Sequence, residues 1–280
     1  MNEIIKQYPS IKQGFGLALY FILFSLVTGF IVGVNLTVWH IDTQSTKSLF
    51  TMLGYSGATL LTIAVGSSSL KKNSGRSLQL KLTAFPITAV LVAIVMMLTI
   101  PLVNDPFTEA FPPTGFFKKL FEDMAQQNLF AILTSVIAAP ILEEVLFRGV
   151  ILNGFLKNYS PQKAIIISAA IFGGIHLNPW QSIPAFLGGI LIGYMYWKTN
   201  SIIPGIILHA ANNLFCVLIS LKYSSKQSLL DILGMKPYIL VLVICVTILI
   251  GGVIYLTKFF TDNPPIEDAE PVMVVESEEL

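Results

Sequence analysis

Ala138-Ala139-Pro140-Ile141-Leu142-Glu143-Glu144-Val145-Leu146-Phe147-Arg148-Gly149 sets two carboxylates and a guanidinium inside an apolar stretch that runs roughly from 128 to 150. Facing lipid, each charge near a helix centre costs about 2.5 to 3.5 kcal/mol, so the three together cost on the order of 8 to 10 kcal/mol. A cost of that size implies partners or a function. Glu144 and Arg148 are four apart with the acid N-terminal, the better order for an ion pair on one helical face. Glu143 is left without that countercharge. Pro140, one turn ahead of the acids, predicts a kink that frees backbone groups where a water-filled cavity could form. The plainer reading is a charged helix end in the interface with Arg148 snorkelling to water. Against it, Val150, Ile151 and Leu152 continue the apolar pattern past the arginine.

Working outward, apolar runs near the roughly 20 residues needed to cross a hydrocarbon core of about 30 Å recur along the chain. They place spans at roughly 14 to 35, 49 to 70, 84 to 103, 128 to 150, 164 to 178, 182 to 198, 202 to 221 and 237 to 257. Only 12% of the residues are charged against 54% hydrophobic, and mean hydropathy is +0.74, too little polar surface to face water. The fold class is therefore all-α, a polytopic transmembrane helical bundle of about eight transmembrane helices. Residues 1–260 read as a single transmembrane helical domain and 261–280, rich in Pro and acids, as a disordered acidic tail. The first run is too long for a signal-peptide core and lacks a convincing cleavage site, so it reads as a retained span. The fifth and sixth spans are short and carry Gly173, Gly174, Gly188, Gly189 and Gly193, with Gly189 and Gly193 forming a GxxxG pair, which predicts tilted, broken or tightly packed helices.

Lys and Arg orient the bundle. With the N-terminus in the cytoplasm, inner loops collect Lys6, Lys12, Lys71, Lys72, Arg76, Lys81, Lys157, Lys163, Lys198 and Lys258, and outer loops hold the fewer Lys47, Lys118, Lys119, Lys222, Lys226 and Lys236. Both termini are thus expected in the cytoplasm, in what reads as a bacterial plasma membrane. The basic residues form no stripe, so no nucleic-acid partner is expected; the lipid bilayer is the partner, and the oligomeric state is not legible. Cys216 and Cys245 have no CxxC spacing and read as packing residues. Gly115 to Gln127 puts Phe116, Phe117, Leu120, Phe121 and Met124 on one helical face, which fits an interfacial helix or a surface helix folded on the bundle.

Two later spans carry one histidine each. Four-residue spacing sets Phe172 beside His176 and His209 beside Asn213. A lone intramembrane histidine is more often a satisfied core residue, and His40, in an outer loop beside Trp39 and Asp42, reads as such a bystander. The conjunction is what matters: three neighbouring spans supply acids, a base-capable imidazole, and an imidazole with a carboxamide, an inventory suited to hydrolysis.

These motifs resemble the CAAX protease and bacteriocin-processing family (CPBP, also Abi or type II CAAX prenyl endopeptidases) of intramembrane proteases. The family pattern of EExxxR, FxxxH and HxxxN is matched in order by Glu143 to Arg148, Phe172 to His176 and His209 to Asn213, within a core of roughly 128 to 221. The resemblance implies an endopeptidase in which Glu143 and His176 activate a water, His209 and Asn213 stabilise the oxyanion, and Glu144 and Arg148 organise the site. Its substrates would be membrane-embedded or lipidated peptides and proteins. No cofactor is favoured, although zinc or another divalent metal could be held by Glu143, His176 and His209, the metalloprotease variant; against it, no HExxH is present. Two other functions stay open: a non-catalytic membrane scaffold or bacteriocin-immunity-type protein using the same fold, and a transporter or proton relay built on buried Glu and His.

Overall fold

The computed structural model describes residues 7–41, 43–125, 128–223 and 228–264, and among them the chain is helical with no strand beyond one isolated bridge, Leu82 to Ser201. The helices are α1 (Ile11–Val38), α2 (Gln44–Ser74), α3 (Ile87–Ala110), the short α4 (Gly115–Met124), α5 (Leu129–Asn158), α6 (Pro161–Gly174), α7 (Pro179–Thr199), α8 (Ile203–Lys222), the five-residue α9 (Leu229–Leu233) and α10 (Met235–Asp262). Each expected span corresponds to one of these helices. Of the described residues, six helices are long and apolar enough to cross a membrane: α1, α2, α3, α5, α8 and α10.

The expected fifth and sixth spans are the exceptions to a count of eight. Helix α6 has 14 residues, about 21 Å at 1.5 Å per residue, short of a bilayer core. Helix α7 has the length, 21 residues, but Gln181, Ser182, Pro184 and its glycines dilute its apolarity. The two pack as an antiparallel hairpin through the small residues seen in the sequence. A Cβ on Gly189 would stand 3.1 Å from Ala169 Cβ, one on Gly193 3.2 Å from Ile165, and one on Gly173 2.7 Å from the Ser182 carbonyl oxygen.

Two apolar cores result. Leu17 and Phe21 of α1 join Leu146, Phe147, Ile151 and Phe155 of α5 and Phe172 of α6; Ala93, Met96 and Met97 of α3 join Met195, Leu208, Leu256 and Phe260. Outside these, Phe30, Leu91, Val95, Ile250 and Ile254 are exposed, a surface suited to lipid rather than water. Helices α1 and α2 are antiparallel, with Gly66 against Leu17 and Gly54 against Val32, and α10 runs back along α3, with Gly252 against Met96. Gln7 bonds to Asn158 at the end of α5, Thr83 Oγ1 donates to the Thr199 carbonyl oxygen at the end of α7, and Phe260 packs on Tyr194. Both ends of the described chain therefore meet at one end of the bundle, where Lys71, Lys72, Arg76, Lys81, Lys157, Lys163 and Lys198 also lie.

Helix α4 satisfies the second of its two readings. Phe117 and Phe121 pack on Trp180, with ring centroids 5.2 and 5.9 Å away, while Phe116 faces outward. Gln127 lies outside the described residues, as does Asp42 beside His40. The segment assigned to the tail begins later than expected, since Thr261 and Asp262 still belong to α10; 265–280 lie outside the described residues.

Candidate active site

The backbone of α5 prepares the site. Two π-helical stretches, Thr134–Ala138 and Val145–Leu152, flank the α-helical Ala139–Glu144. In the first, Ala139 N–H bonds to the Thr134 carbonyl rather than to that of Ser135, and the next residue, Pro140, has no N–H to give. The Ser135 carbonyl is thereby left without a helical donor. Asn213 Nδ2 of α8 donates to it at 2.8 Å, so a half-buried polar group released by the proline is satisfied by a residue of the HxxxN motif. The expected loosening at Pro140 takes the form of a widened turn.

Glu144 and Arg148 pair as their spacing predicts. Arg148 Nη1 donates to Glu144 Oε1 at 2.8 Å with both side chains excluded from solvent, and Arg148 Nη2 donates to the Gly189 carbonyl oxygen at 3.2 Å. The guanidinium lies over the Phe172 ring, 4.9 Å from its centroid, a favourable cation–π contact away from water. His209 Nδ1 approaches the same Glu144 oxygen at 3.2 Å. Gly205 makes this convergence possible, since a Cβ there would stand 2.7 Å from Glu144 Oε2 and 2.8 Å from Ile192 Cγ2. Glu144 thus ties α5 to α8, and Arg148 ties α5 to α7.

Glu143 is not left alone. The Tyr55 hydroxyl of α2 donates to its Oε1, and its Oε2 faces His209 Nε2 across 3.8 Å, a gap of the kind that a water bridges. The imidazole brought against Glu143 is that of His209. His176, in the turn after α6, directs Nδ1 to the Phe172 carbonyl at 3.1 Å and sets its ring edge to face with Phe172. Phe172 also packs edge to face on His209, at 5.6 Å, so one aromatic ring spaces both imidazoles. The turn is held by Asn178, whose Nδ2 donates to the His176 carbonyl and whose Oδ1 accepts from Gln181 N at the start of α7.

Glu143, His176, His209 and Asn213 border one cavity of about 870 Å³. Leu146, Phe147, Leu152, Met195 and Leu208 are fully buried and do not border it. Gln44 and Ser48 of α2, Asn104 of α3, Phe121 of α4 and Trp180 of α7 border it too. Cys216 also borders it and is exposed, not packed as expected, whereas Cys245 is buried. Glu144 and Arg148 stand behind this wall. Among the described residues no group of three or more His, Cys, Asp or Glu side chains is placed to hold a metal ion.

Of the site's neighbours, Tyr55, Ser135, Asn178 and Gly205 were not singled out in the sequence. Tyr55 carries no local signal beyond being a hydroxyl in an apolar span, and its partner lies 88 residues away. Ser135 had one, its position five residues before Pro140.

Against this geometry stand the relatives. Residues 125–215 match the family model described as type II CAAX prenyl endopeptidase Rce1-like. The Rce1-like segment contains every motif residue from Glu143 to Asn213, which bears out the resemblance read from the three motifs. Over 110 residues the chain is 30% identical to "Putative membrane peptidase YdiL" of Bacillus subtilis (strain 168), covering 38% of the chain and 45% of that protein. It is 31% identical over 80 residues to UPF0177 protein YxdF of Lactococcus lactis subsp. lactis (strain IL1403), 28% of the chain and 44% of that protein. A third relative, an uncharacterized 24.3 kDa protein of Escherichia coli, is 29% identical over 107 residues, 36% and 49% of the two chains. The chain spans less than half the length of each. No solved structure matches it.

Proposed function

We propose that the chain is an intramembrane endopeptidase of a bacterial plasma membrane, with both termini cytoplasmic, hydrolysing peptide bonds of membrane-embedded or lipidated substrates. The observation that carries this reading is that Glu143, His176, His209 and Asn213, from three helical segments, border a single cavity. The Rce1-like match and the name of the Bacillus subtilis relative support it.

In the proposed reaction Glu143, aided by His176, takes a proton from water, and the oxygen bonds to the scissile carbonyl carbon. The carbonyl electron pair moves onto its oxygen, where N–H donors of His209 and Asn213 meet the developing charge in a water-poor site. Collapse of this intermediate breaks the C–N bond, and the amine leaves with the proton held by Glu143. Asn213 has a second amide hydrogen besides the one on Ser135. His209 gives its Nδ1 proton to Glu144, so donation from Nε2 as well uses the imidazolium, flanked by two carboxylates and balanced within the Glu143, Glu144, Arg148 and His209 group. Glu144 and Arg148 hold His209 and Phe172 in register without touching substrate.

Comparing the membrane peptidome of cells that carry the wild-type chain with that of cells carrying Glu143→Gln identifies the peptides cut. Purified protein in detergent then cleaves those peptides, and Glu143→Gln and His176→Ala lower the rate at least about a hundredfold while remaining folded. Identical peptidomes, or cleavage that survives Glu143→Gln, reject the assignment. Chelator dialysis leaves the rate unchanged on this reading; a loss reversed by zinc would transfer the water to a metal.

A further inference from the structure

The Rce1-like segment begins at residue 125, yet one hydrogen bond to Glu143 comes from well before it. Tyr55 sits midway along α2, and its hydroxyl donates to Glu143 Oε1. An ionised carboxylate only accepts, so the phenol must be the donor. The ring is fixed independently of that bond. It packs edge to face on Phe21 of α1, with centroids 6.1 Å apart and planes at 85°. The Tyr55 carbonyl accepts from Thr59 Oγ1 at 2.9 Å, one turn on. A phenol held this way presents a donor at a set point, which the carboxylate must approach.

The consequence falls on the other carboxylate oxygen. With Oε1 occupied, Oε2 is the oxygen that faces His209 Nε2 across 3.8 Å at the cavity wall. A second cavity of about 370 Å³ lies between α1 and α2, bordered by Ser25, Thr28, Gly29 and Val32 together with Tyr55 itself. Thr51, one turn earlier on α2, borders both cavities. The phenol thus reaches Glu143 from the α1–α2 side.

We infer that Tyr55 is a positioning residue for Glu143: its hydroxyl holds one carboxylate oxygen so that the other is aimed at the water. This rests on the hydrolytic reading above and adds to it a part supplied by α2, outside the matched segment.

The two parts of Tyr55 are separable by substitution. Tyr55→Phe keeps the ring and its contact with Phe21 and removes only the hydroxyl. Hydrogen bonds to charged groups are worth enough that losing one lowers kcat by roughly ten- to a hundredfold, and because the bond is to the base and not to substrate, KM stays near the wild-type value. Tyr55→Leu removes the ring and its contact with Phe21 as well and loses thermal stability in addition. The test measures kcat and KM of wild type, Tyr55→Phe, Glu143→Gln and the double variant in detergent, with melting temperatures alongside, using the peptide that accumulates uncut in the Glu143→Gln peptidome. The expected result is a fall in kcat for Tyr55→Phe with little change in KM or melting temperature, and no further fall when it is added to Glu143→Gln. Wild-type kcat in Tyr55→Phe overturns the inference and leaves the hydrolytic reading standing, since a packing role alone needs only the ring. A fall that adds in full to that of Glu143→Gln overturns it as well. If instead Glu143→Gln cleaves at the wild-type rate, the hydrolytic reading itself is overturned, and the role given to Tyr55 goes with it.

Discussion

Arg148 shows how far a single side chain in α5 reaches. It is almost wholly buried, and its Nη1 and Nη2 donate to Glu144 and to the Gly189 carbonyl, so removing it leaves the buried Glu144 carboxylate with His209 alone. Breaking a buried pair from one side costs about 3 to 5 kcal/mol. Arg148→Met is therefore expected to lose about that much stability, read as a lowered melting temperature in detergent, and an unchanged melting temperature would show that the pair is solvated. This pair was legible in the sequence because four-residue spacing is a local property of any helix. The partner of Glu143 was not: Tyr55 is distant in the chain, and an apolar span with one tyrosine looks the same whether that tyrosine packs, faces lipid or donates to a carboxylate.

At the scale of elements, the informative feature is the widened turn before Pro140. The proline predicted a disturbance, but not its form, because hydrogen-bond register leaves no trace in apolar periodicity. In the folded chain the disturbance is local and is compensated by α8: Asn213 takes up the Ser135 carbonyl. Asn213→Ala is expected to cost about 1 kcal/mol, the net value of a half-buried hydrogen bond, besides lowering cleavage; a variant as stable as wild type would place water on that carbonyl. The α6–α7 hairpin followed the same pattern. Its small residues were visible as a GxxxG pair and a cluster of glycines, and they do set close packing. The C-terminal end of α6 was placed too late because Ile175, His176 and Leu177 continue the run through a turn, Leu177 there adopting φ 56°.

For the whole molecule, all-helical architecture and the helices themselves were readable from composition and run length. Of the proposed site residues, Glu143, His176, His209 and Asn213 border one cavity, and Glu144 and Arg148 are buried behind it. What could not be read was where along the bundle that cavity extends, which depends on packing alone. It reaches Gln44 and Ser48 in the first turns of α2, at the end of that helix opposite Lys71 and Lys72. With those lysines on the cytoplasmic side, that end of the cavity faces the other side of the membrane. A membrane-impermeant maleimide applied to intact cells is then expected to label Gln44→Cys and not Lys71→Cys; the reverse pattern would turn the protein over and bring the substrate from the cytoplasm.

The most direct measurement of the central claim is the fate of solvent oxygen during peptide cleavage. Purified wild-type protein, incubated in ¹⁸O-labelled water with a peptide identified as its substrate, is predicted to yield a product with the heavy isotope in its new C-terminal carboxyl group, and the Glu143→Gln protein to form it at least about a hundredfold more slowly. Labelled product formed at the wild-type rate by Glu143→Gln, or no cleavage by either protein, would contradict a water activated by Glu143 in this cavity.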